Sequence, residues 1–193
     1  MNKRSAEETK KKILEAAQSV FTEQGYAQAS MRTIAKAAGT SVGGLYLYFR
    51  NKEDLYLTLM QDRMKMLNEL TEEALFKVDE PAEAIAAFIS ISIDFARKNK
   101  EMIILQGREL GFSFGIDRKR EFLRERRKLI ADIIRKGIIT GVFRKCNADE
   151  AAWIIFNMLR GFVVSMVIDE EVLCTAEAYV ELVLQGLLRR NRG

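Results

Sequence analysis

Apolar residues recur along most of the chain at intervals of three and four positions, the spacing that places side chains on one face of an α-helix. Residues 31–38 show this spacing over two turns, and residues 42–49 repeat it. Gly39 and two hydroxyl residues separate the two segments. The pattern therefore predicts two short amphipathic helices joined by a tight turn, which is the layout of a helix-turn-helix.

The turn and the second short helix have an unusual polar side. Gly39 follows the last apolar position of the first helix, where glycine easily takes the left-handed conformation that ends helices. The hydroxyls of Thr40 and Ser41 can accept hydrogen bonds from the first N–H groups of the next helix. Gly43 and Gly44 each cost that helix about 1 kcal/mol relative to alanine. We interpret them as marking a surface that approaches a base edge or a phosphate closely; a plain loop between two core helices is the alternative.

The same periodicity predicts an all-α fold of about nine helices, because no alternating β-branched run bounded by turn residues occurs and the chain has a single proline. The first helix is expected at about residues 7–24, with Gly25 at its end. Ser30, Asn51 and Asn147 stand where they can cap later helices. The helices after the helix-turn-helix are expected at about residues 52–78, 81–96, 101–110, 117–136, 148–168 and 175–190.

Three of these later helices carry distinct patterns. The seventh is strongly charged, and pairing four positions apart should place most of its cations on a solvated face: Arg118, Lys119, Arg120, Arg124, Arg126, Arg127 and Lys128. The eighth is apolar on too many sides for a peripheral helix, so burial on two faces is expected. We predict that the eighth and ninth helices form a dimer interface, packed as a four-helix bundle with a second copy.

Charge is distributed unevenly over the 193 residues. Residues 1–52 contain nine Lys or Arg and four Glu, whereas the remainder contains 22 basic and 23 acidic residues. The net charge of +4 therefore comes from the segment with the helix-turn-helix pattern. This distribution favours attraction to nucleic-acid phosphates, although a solvated basic face is the alternative.

Several classes of function have no support in the sequence. No segment has the roughly 20 uninterrupted apolar residues of a membrane span, and the first residues lack a secretory pattern, so we expect a cytoplasmic protein without a membrane partner. The chain has no histidine, and Cys146 and Cys174 form no CxxC pair, so no metal is expected. Without a nucleophile elbow or a glycine-rich phosphate loop, we predict neither an enzyme nor a cofactor.

These residues together resemble the DNA-binding signature of the TetR family of bacterial transcriptional regulators. The resemblance implies a DNA-binding domain at residues 1–52 and a ligand-binding and dimerisation domain at residues 53–193. It further implies a homodimeric repressor of a palindromic operator that a small hydrophobic ligand releases. The matching residues are Ile13, Ala16, Ala17, Phe21, Gly25, Tyr26, Ile34, Ala35, Ala38, Gly39, Ser41, Gly43, Leu45, Tyr46, Tyr48, Phe49, Lys52, Glu53 and Leu55.

The resemblance also implies roles for single residues. Thr40, Ser41 and Gly43 resemble groove contacts, whereas Tyr46, Tyr48 and Lys52 resemble phosphate contacts. Arg32 joins them by its place in the first turn of its helix, where it can reach the backbone or a base edge. Leu47 departs from the family pattern, which usually has an aromatic or polar residue there, so one backbone contact is in doubt.

A ligand pocket between the fourth and seventh helices is likewise implied by the resemblance. Apolar candidates for its lining are Met64, Leu67, Phe88, Phe95, Ile104, Phe112 and Phe122, with Phe156 from the eighth helix. Arg108 can pair with a ligand carboxylate or phosphate, or else with Glu101 or Glu109. A fatty acid or acyl thioester is one hypothesis and a neutral hydrophobic compound another. A DNA-binding protein that responds to a protein partner, without small-molecule control, is the alternative function.

Overall fold

The computed structural model describes residues 3–110, 115–169 and 174–188, apart from the side chains of residues 3–5, 108 and 110. The described residues form nine α-helices and one π-helical turn, which confirms the all-α prediction. Their one extended pairing is an isolated antiparallel bridge between Phe143 and Leu188. The elements are α1 Lys3–Gln28, α2 Met31–Ala37, α3 Val42–Tyr46, α4 Lys52–Phe76, α5 Pro81–Lys98, α6 Lys100–Leu105, the π turn Gln106–Leu110, α7 Ile116–Ile139, α8 Ala148–Ile168 and α9 Ala176–Leu187.

The chain packs as two compact units. The first consists of Met1–Met64 with Glu101–Gly115, and the second of Lys65–Lys100 with Ile116–Gly193. Helix α4 therefore contributes its first half to one unit and its second half to the other. The functional boundary after Lys52 stays a prediction, since the units are defined by packing.

An aromatic cluster lies at the centre of the first unit. The rings of Phe21, Tyr26 and Tyr56 are mutually in contact, with centroids 5.3 to 5.5 Å apart. Such contacts add to the free energy gained by burying the rings. Met102 and Leu105 of α6 belong to the same core, so this helix packs with α1 to α4 although it lies far along the chain.

Three predicted helix starts are confirmed by hydrogen bonds at their N-terminal ends. Ser30, Asn51 and Asn147 each accept from the N–H three residues later, at 3.0, 2.7 and 3.3 Å. Gly39 has φ +66°, the left-handed conformation expected at its position. Gly25 has φ +79° and interrupts the helical conformation of α1 at the predicted position, but α1 does not end there, because residues 26–28 are again helical.

In the second unit, α5 packs against α7, α8 and α9, and α7 packs against α8. Helix α7 extends to Ile139, past its predicted end at residue 136. Gly137 lies inside it, where a Cβ atom would overlap the buried ring of Phe143. The following segment is held to α9 because Arg144 Nε donates to the carbonyl oxygen of Gly186 at 2.6 Å.

Helix α8 is the one helix among the described residues that is long and apolar enough to cross a membrane by length and composition alone. Its buried residues include Phe156, Phe162 and Met166, and it packs against α5 and α7. Ile154 and Ile168 of the same helix are exposed, so the predicted burial on two faces stays a prediction. The core helix of a protein can meet the same criterion of length and composition.

Candidate functional site

Helices α2 and α3 form the predicted helix-turn-helix inside the first unit. The turn is closed by backbone bonds: Ala38 N donates to Ile34 O at 2.9 Å, and Thr40 N donates to Ala35 O at 3.0 Å. Ser41 begins α3, because its Oγ accepts from Gly44 N at 2.9 Å. The inner side of α3 is anchored by Leu45, which is fully buried in the core of the unit. The outer side of this short helix is therefore fixed in direction.

The residues predicted to contact DNA lie at or near this outer side. Arg32, Ser41, Gly43 and Tyr46 are exposed, and half of the surface of Tyr46 is accessible. Thr40, Tyr48 and Lys52 are half-buried. Leu47, which departs from the family pattern, is 81% exposed next to Tyr46. Whether these residues contact DNA stays a prediction.

The two adjacent glycines of α3 have different explanations. A Cβ atom on Gly44 would lie 2.8 Å from Thr40 Oγ1 and 3.1 Å from Ser41 Oγ, so packing within the turn accounts for this glycine. A Cβ atom on Gly43 would meet nothing within 4 Å. Internal packing therefore explains Gly44, whereas no contact inside the described chain requires glycine at position 43.

Lys52 closes the end of α1. Its ammonium donates to the carbonyl oxygens of Tyr26, Ala27 and Ala29 at 2.6, 3.3 and 2.8 Å. It also lies 4.5 Å from the centroid of the Tyr26 ring, within the range of a cation–π contact. Last-turn carbonyls attract cations because they carry the negative end of the helix dipole. The structure thus gives a structural role to a residue that resembles a phosphate contact.

The π turn that follows α6 contacts the same end of α1. Glu109 Oε2 accepts from Ala27 N at 3.1 Å, and a Cβ atom on Gly25 would lie 2.5 Å from Glu109 Oε1. Burial raises the pKa of Tyr56 above its ordinary value, and the neighbouring Tyr26 and Glu109 raise it further. Glu109 therefore contacts α1 directly, a contact that the sequence did not predict.

The residues predicted to line a ligand pocket are divided between the two units. Met64 and Ile104 belong to the first, where both are half-buried. The side chain of Arg108 and the whole of Phe112 lie outside the described residues. The remainder belong to the second unit, with Phe88 and Phe156 buried and the others half-buried: Leu67, Phe88, Phe95, Phe122 and Phe156.

Arg126 departs most from the solvated face predicted for α7, because it is only 5% exposed, whereas Lys119 and Arg127 are half-buried and the other cations of the prediction are exposed. Its Nη1 donates to Thr71 Oγ1 at 3.1 Å and its Nη2 to Ser92 Oγ at 2.7 Å. The guanidinium carbon lies 4.4 Å from the centroid of the Phe88 ring and 5.7 Å from that of Phe122. Burial lowers the pKa of Arg126 to about 10, so the side chain stays cationic at neutral pH.

The sequence contained a signal for this arginine. Arg126 stands four residues after Phe122 and four before Ile130, so all three share one face of α7. Ile130, Ile133 and Ile134 of the same helix are buried. An arginine within an apolar stripe is a buried cation, whereas the abundance of charge on the rest of α7 suggested a solvated one.

Large apolar side chains are exposed on α8 and α9. Ile154 and Ile168 of α8 are 64% and 69% exposed, and Leu182 of α9 is 62% exposed. A Cβ atom on Gly161 or Gly186 would meet nothing within 4 Å in the chain. Exposed apolar side chains of this size are often buried against another chain, so the predicted dimer interface stays a prediction.

Two kinds of comparison connect this geometry with known proteins. The model of the family described as "Bacterial regulatory proteins, tetR family" matches residues 13–59, which contain α2, α3 and the start of α4. The fatty acid metabolism regulator protein of Bacillus subtilis (strain 168) is 28% identical over 181 residues, which cover 91% of this chain and 93% of that protein.

Solved structures resemble the fold over nearly its whole length. The fatty acid degradation regulator FadR from Bacillus halodurans has a TM-score of 0.74 at 27% identity, over 92% of this chain and 93% of that one. The transcriptional regulator FadR from Bacillus subtilis, solved in complex with stearoyl-CoA, has a TM-score of 0.73 at 28% identity, over 90% and 95%. The likeness therefore extends well beyond the helix-turn-helix.

Proposed function

Because the chain belongs to the TetR family of bacterial transcriptional regulators, we propose that it is a homodimeric repressor released from a palindromic operator by a fatty acyl ligand. Its function as a transcriptional regulator follows from the family, and the regulators it resembles are not enzymes. One observation carries the proposal for DNA: Leu45 anchors the inner side of α3 while Ser41, Gly43 and Tyr46 are exposed on the outer side.

In the proposed complex, α3 enters the major groove with its N-terminal end leading. Ser41 and Gly43 are then nearest to the base edges, and the exposed hydroxyl of Tyr46 donates to a phosphate oxygen. Gly43 suits this position, because its missing Cβ lets the helix backbone approach a base without any cost in internal packing. The exposed Arg32 supplies a cation for the phosphate backbone.

Dimerisation through α8 and α9 would present two copies of the helix-turn-helix to successive turns of a duplex, about 34 Å apart. Support comes from the exposed Ile154, Ile168 and Leu182, whose burial against a second copy would remove apolar surface from water. A ligand can release the operator only if it binds more tightly to a dimer whose two helix-turn-helix copies have a different spacing than to the DNA-bound dimer.

The proposed ligand class rests on the relatives. FadR from Bacillus subtilis was solved with stearoyl-CoA, and this chain resembles it over 90% of its own length. The second unit contains Phe88, Phe95 and Phe122, whose rings suit an acyl chain. At 28% identity, the relatives support an acyl ligand as a class but do not specify its chain length or head group.

The DNA part is tested with two neighbouring glycine variants. Duplexes are first selected from genomic fragments by the full chain, and affinity is then measured on the selected duplex and on a scrambled one. We expect Gly43→Ala to keep the fold and to lose operator preference by about tenfold or more, the value of a single base-pair mismatch. Gly44→Ala is the matched control for packing, since its Cβ meets Thr40 and Ser41. If Gly43→Ala leaves operator preference unchanged, α3 does not face the groove.

The ligand part is tested on the complex of protein and selected operator. Stearoyl-CoA is titrated while operator occupancy is followed by fluorescence anisotropy, with free coenzyme A as the control. We expect stearoyl-CoA to release the protein from the operator, whereas coenzyme A should leave the complex intact. Stable occupancy at saturating acyl-CoA would reject the acyl ligand and favour control by a protein partner.

A further inference from the structure

Arg126 carries a buried charge in the second unit that no carboxylate of the described residues neutralises. Its guanidinium contacts two hydroxyls and two phenyl rings, contributed by α4, α5 and α7. Burying a charge without an opposite one is energetically costly, and an apolar side chain of similar volume often stabilises a core more. Stability alone therefore does not explain an arginine at this position.

The two hydroxyls are fixed as acceptors. Thr71 Oγ1 donates its own hydrogen to Leu67 O at 2.7 Å, and Ser92 Oγ donates to Phe88 O at 2.7 Å. Each oxygen can therefore only accept from the guanidinium, and together they fix its position from α4 and α5. A side chain held in this way loses little further entropy when it binds a ligand.

The guanidinium keeps binding capacity beyond these bonds. An arginine has five N–H donors, and the hydroxyls of Thr71 and Ser92 account for two. The Phe88 and Phe122 rings lie beside the guanidinium and supply apolar surface next to it. A positive, planar donor bordered by phenyl rings suits a ligand with one oxyanion joined to an apolar chain.

We propose that Arg126 binds the oxyanion of the acyl ligand. The inference rests on the proposed acyl ligand and adds a head-group site to it, in a place where the sequence predicted a solvated cation. The oxyanion is either the carboxylate of a free fatty acid or a phosphate of an acyl-CoA. The ring contacts of Phe88 and Phe122 place the adjoining acyl carbons next to the guanidinium.

The test measures ligand binding to the full chain without DNA, by titration calorimetry. Three probes share a twelve-carbon chain: dodecanoate, lauroyl-CoA and the uncharged 1-dodecanol. We expect the wild-type protein to bind at least one oxyanion probe about ten- to a hundredfold more tightly than dodecanol. In Arg126→Met this preference should vanish while dodecanol binds as before.

Arg124→Met is the matched control, because Arg124 is exposed on the same helix and should leave every affinity unchanged. Arg126→Met is expected to melt at or above the wild-type temperature, since an unpaired buried charge is removed. If that variant does not fold, Thr71→Val and Ser92→Ala keep the charge but loosen its position. Both should then reduce the oxyanion preference.

The outcomes separate the sources and the hypotheses. If the affinity for dodecanoate depends on Arg126, the oxyanion is a carboxylate. If only the affinity for lauroyl-CoA depends on Arg126, the oxyanion is a phosphate. A folded Arg126→Met protein that keeps its oxyanion preference, or a wild-type protein that has none, overturns the site. The same is true if Thr71→Val and Ser92→Ala leave the preference intact. Operator binding is measured separately, so a protein that binds oxyanions through Arg126 but ignores DNA would reject the repressor and keep the site.

Discussion

The ammonium of Lys52 lies 2.6 Å from the carbonyl oxygen of Tyr26 and 4.5 Å from the centroid of the same residue's ring. One side chain at the start of α4 thereby holds both the backbone and the ring at the end of α1. Two further carbonyls, of Ala27 and Ala29, accept from the same ammonium. Helix α2 begins at Met31, two residues after the last of these carbonyls.

Replacing Lys52 with methionine should destabilise the protein. The variant keeps an unbranched side chain but loses the charge-assisted bonds, so we expect the free energy of unfolding in urea to fall by about 1–3 kcal/mol. Lys36→Met on the exposed surface of α2 is the control and should change it by less than about 0.5 kcal/mol. Equal stability of the two variants would contradict the role of Lys52 in closing α1.

Two variants of the proposed DNA surface should differ in their dependence on salt. Arg32→Gln removes a cation, so the slope of log affinity against log salt concentration should fall by about 1. Tyr46→Phe removes an uncharged hydroxyl and should weaken binding to all duplexes with the slope unchanged. Affinities measured between 50 and 200 mM salt check both, within the range where such slopes are large. An unchanged slope for Arg32→Gln would exclude a phosphate contact.

Gly25→Ala should destabilise the protein more than Gly141→Ala. Both glycines have φ +79°, and Gly25 combines it with ψ 158°, a conformation that costs an alanine about 1–3 kcal/mol. Gly25→Ala also forces a Cβ atom against the Glu109 carboxylate, whereas a Cβ atom on Gly141 meets nothing within 4 Å. Thermal unfolding is therefore measured for Gly25→Ala in the wild-type protein and in a Glu109→Ala background, where the same substitution should cost less. An equal cost in both backgrounds would show that Glu109 yields without cost.

Leu182→Asp should prevent the proposed dimer, because it places a charge in an apolar surface that would be buried. Sedimentation should then show a monomer, with operator affinity reduced far more than affinity for random DNA. Phe76→Asp is the control: Phe76 is 92% exposed on α4 and should leave the assembly unchanged. A dimer that survives Leu182→Asp with its operator affinity intact would exclude α9 from the interface.

Alkaline pH should destabilise the protein through Tyr56. Its pKa in the folded chain is raised above the ordinary 10.0, so the neutral phenol is favoured by folding. The stabilisation is complete below pH 10 and is lost as the pH rises further, by up to about 1.4 kcal/mol per pH unit. Tyr56→Phe removes this dependence. Denaturation at pH 9, 10 and 11 should therefore show a steeper loss in the wild-type protein, and parallel losses would refute a role for Tyr56.

What was predicted correctly from the sequence is mostly local. The amphipathic spacing of α2 and α3 and the caps at Ser30, Asn51 and Asn147 depend on residues within a few positions of one another. Gly39 takes its left-handed conformation for the same local reason. The candidate DNA surface could be located because it follows directly from which side of α3 is apolar.

The positions of the long charged side chains could not be predicted in this way. Lys52 contacts carbonyls more than twenty residues earlier, and Glu109 reaches an N–H on α1 from the π turn. Packing against Thr40 and Ser41 in the turn explains Gly44 but not Gly43, although the sequence suggests one explanation for both.

Local sequence thus determined the helices, several of their N-terminal caps and the exposed side of α3, because helix periodicity and capping act over three or four residues. The tertiary structure alone decided that Arg126 is buried between the hydroxyls of Thr71 and Ser92. Those partners lie 55 and 34 residues away in the chain, on two other helices. Whether a cation on a helix is solvated or buried depends on which helices pack beside it, and no spacing within the helix itself specifies that.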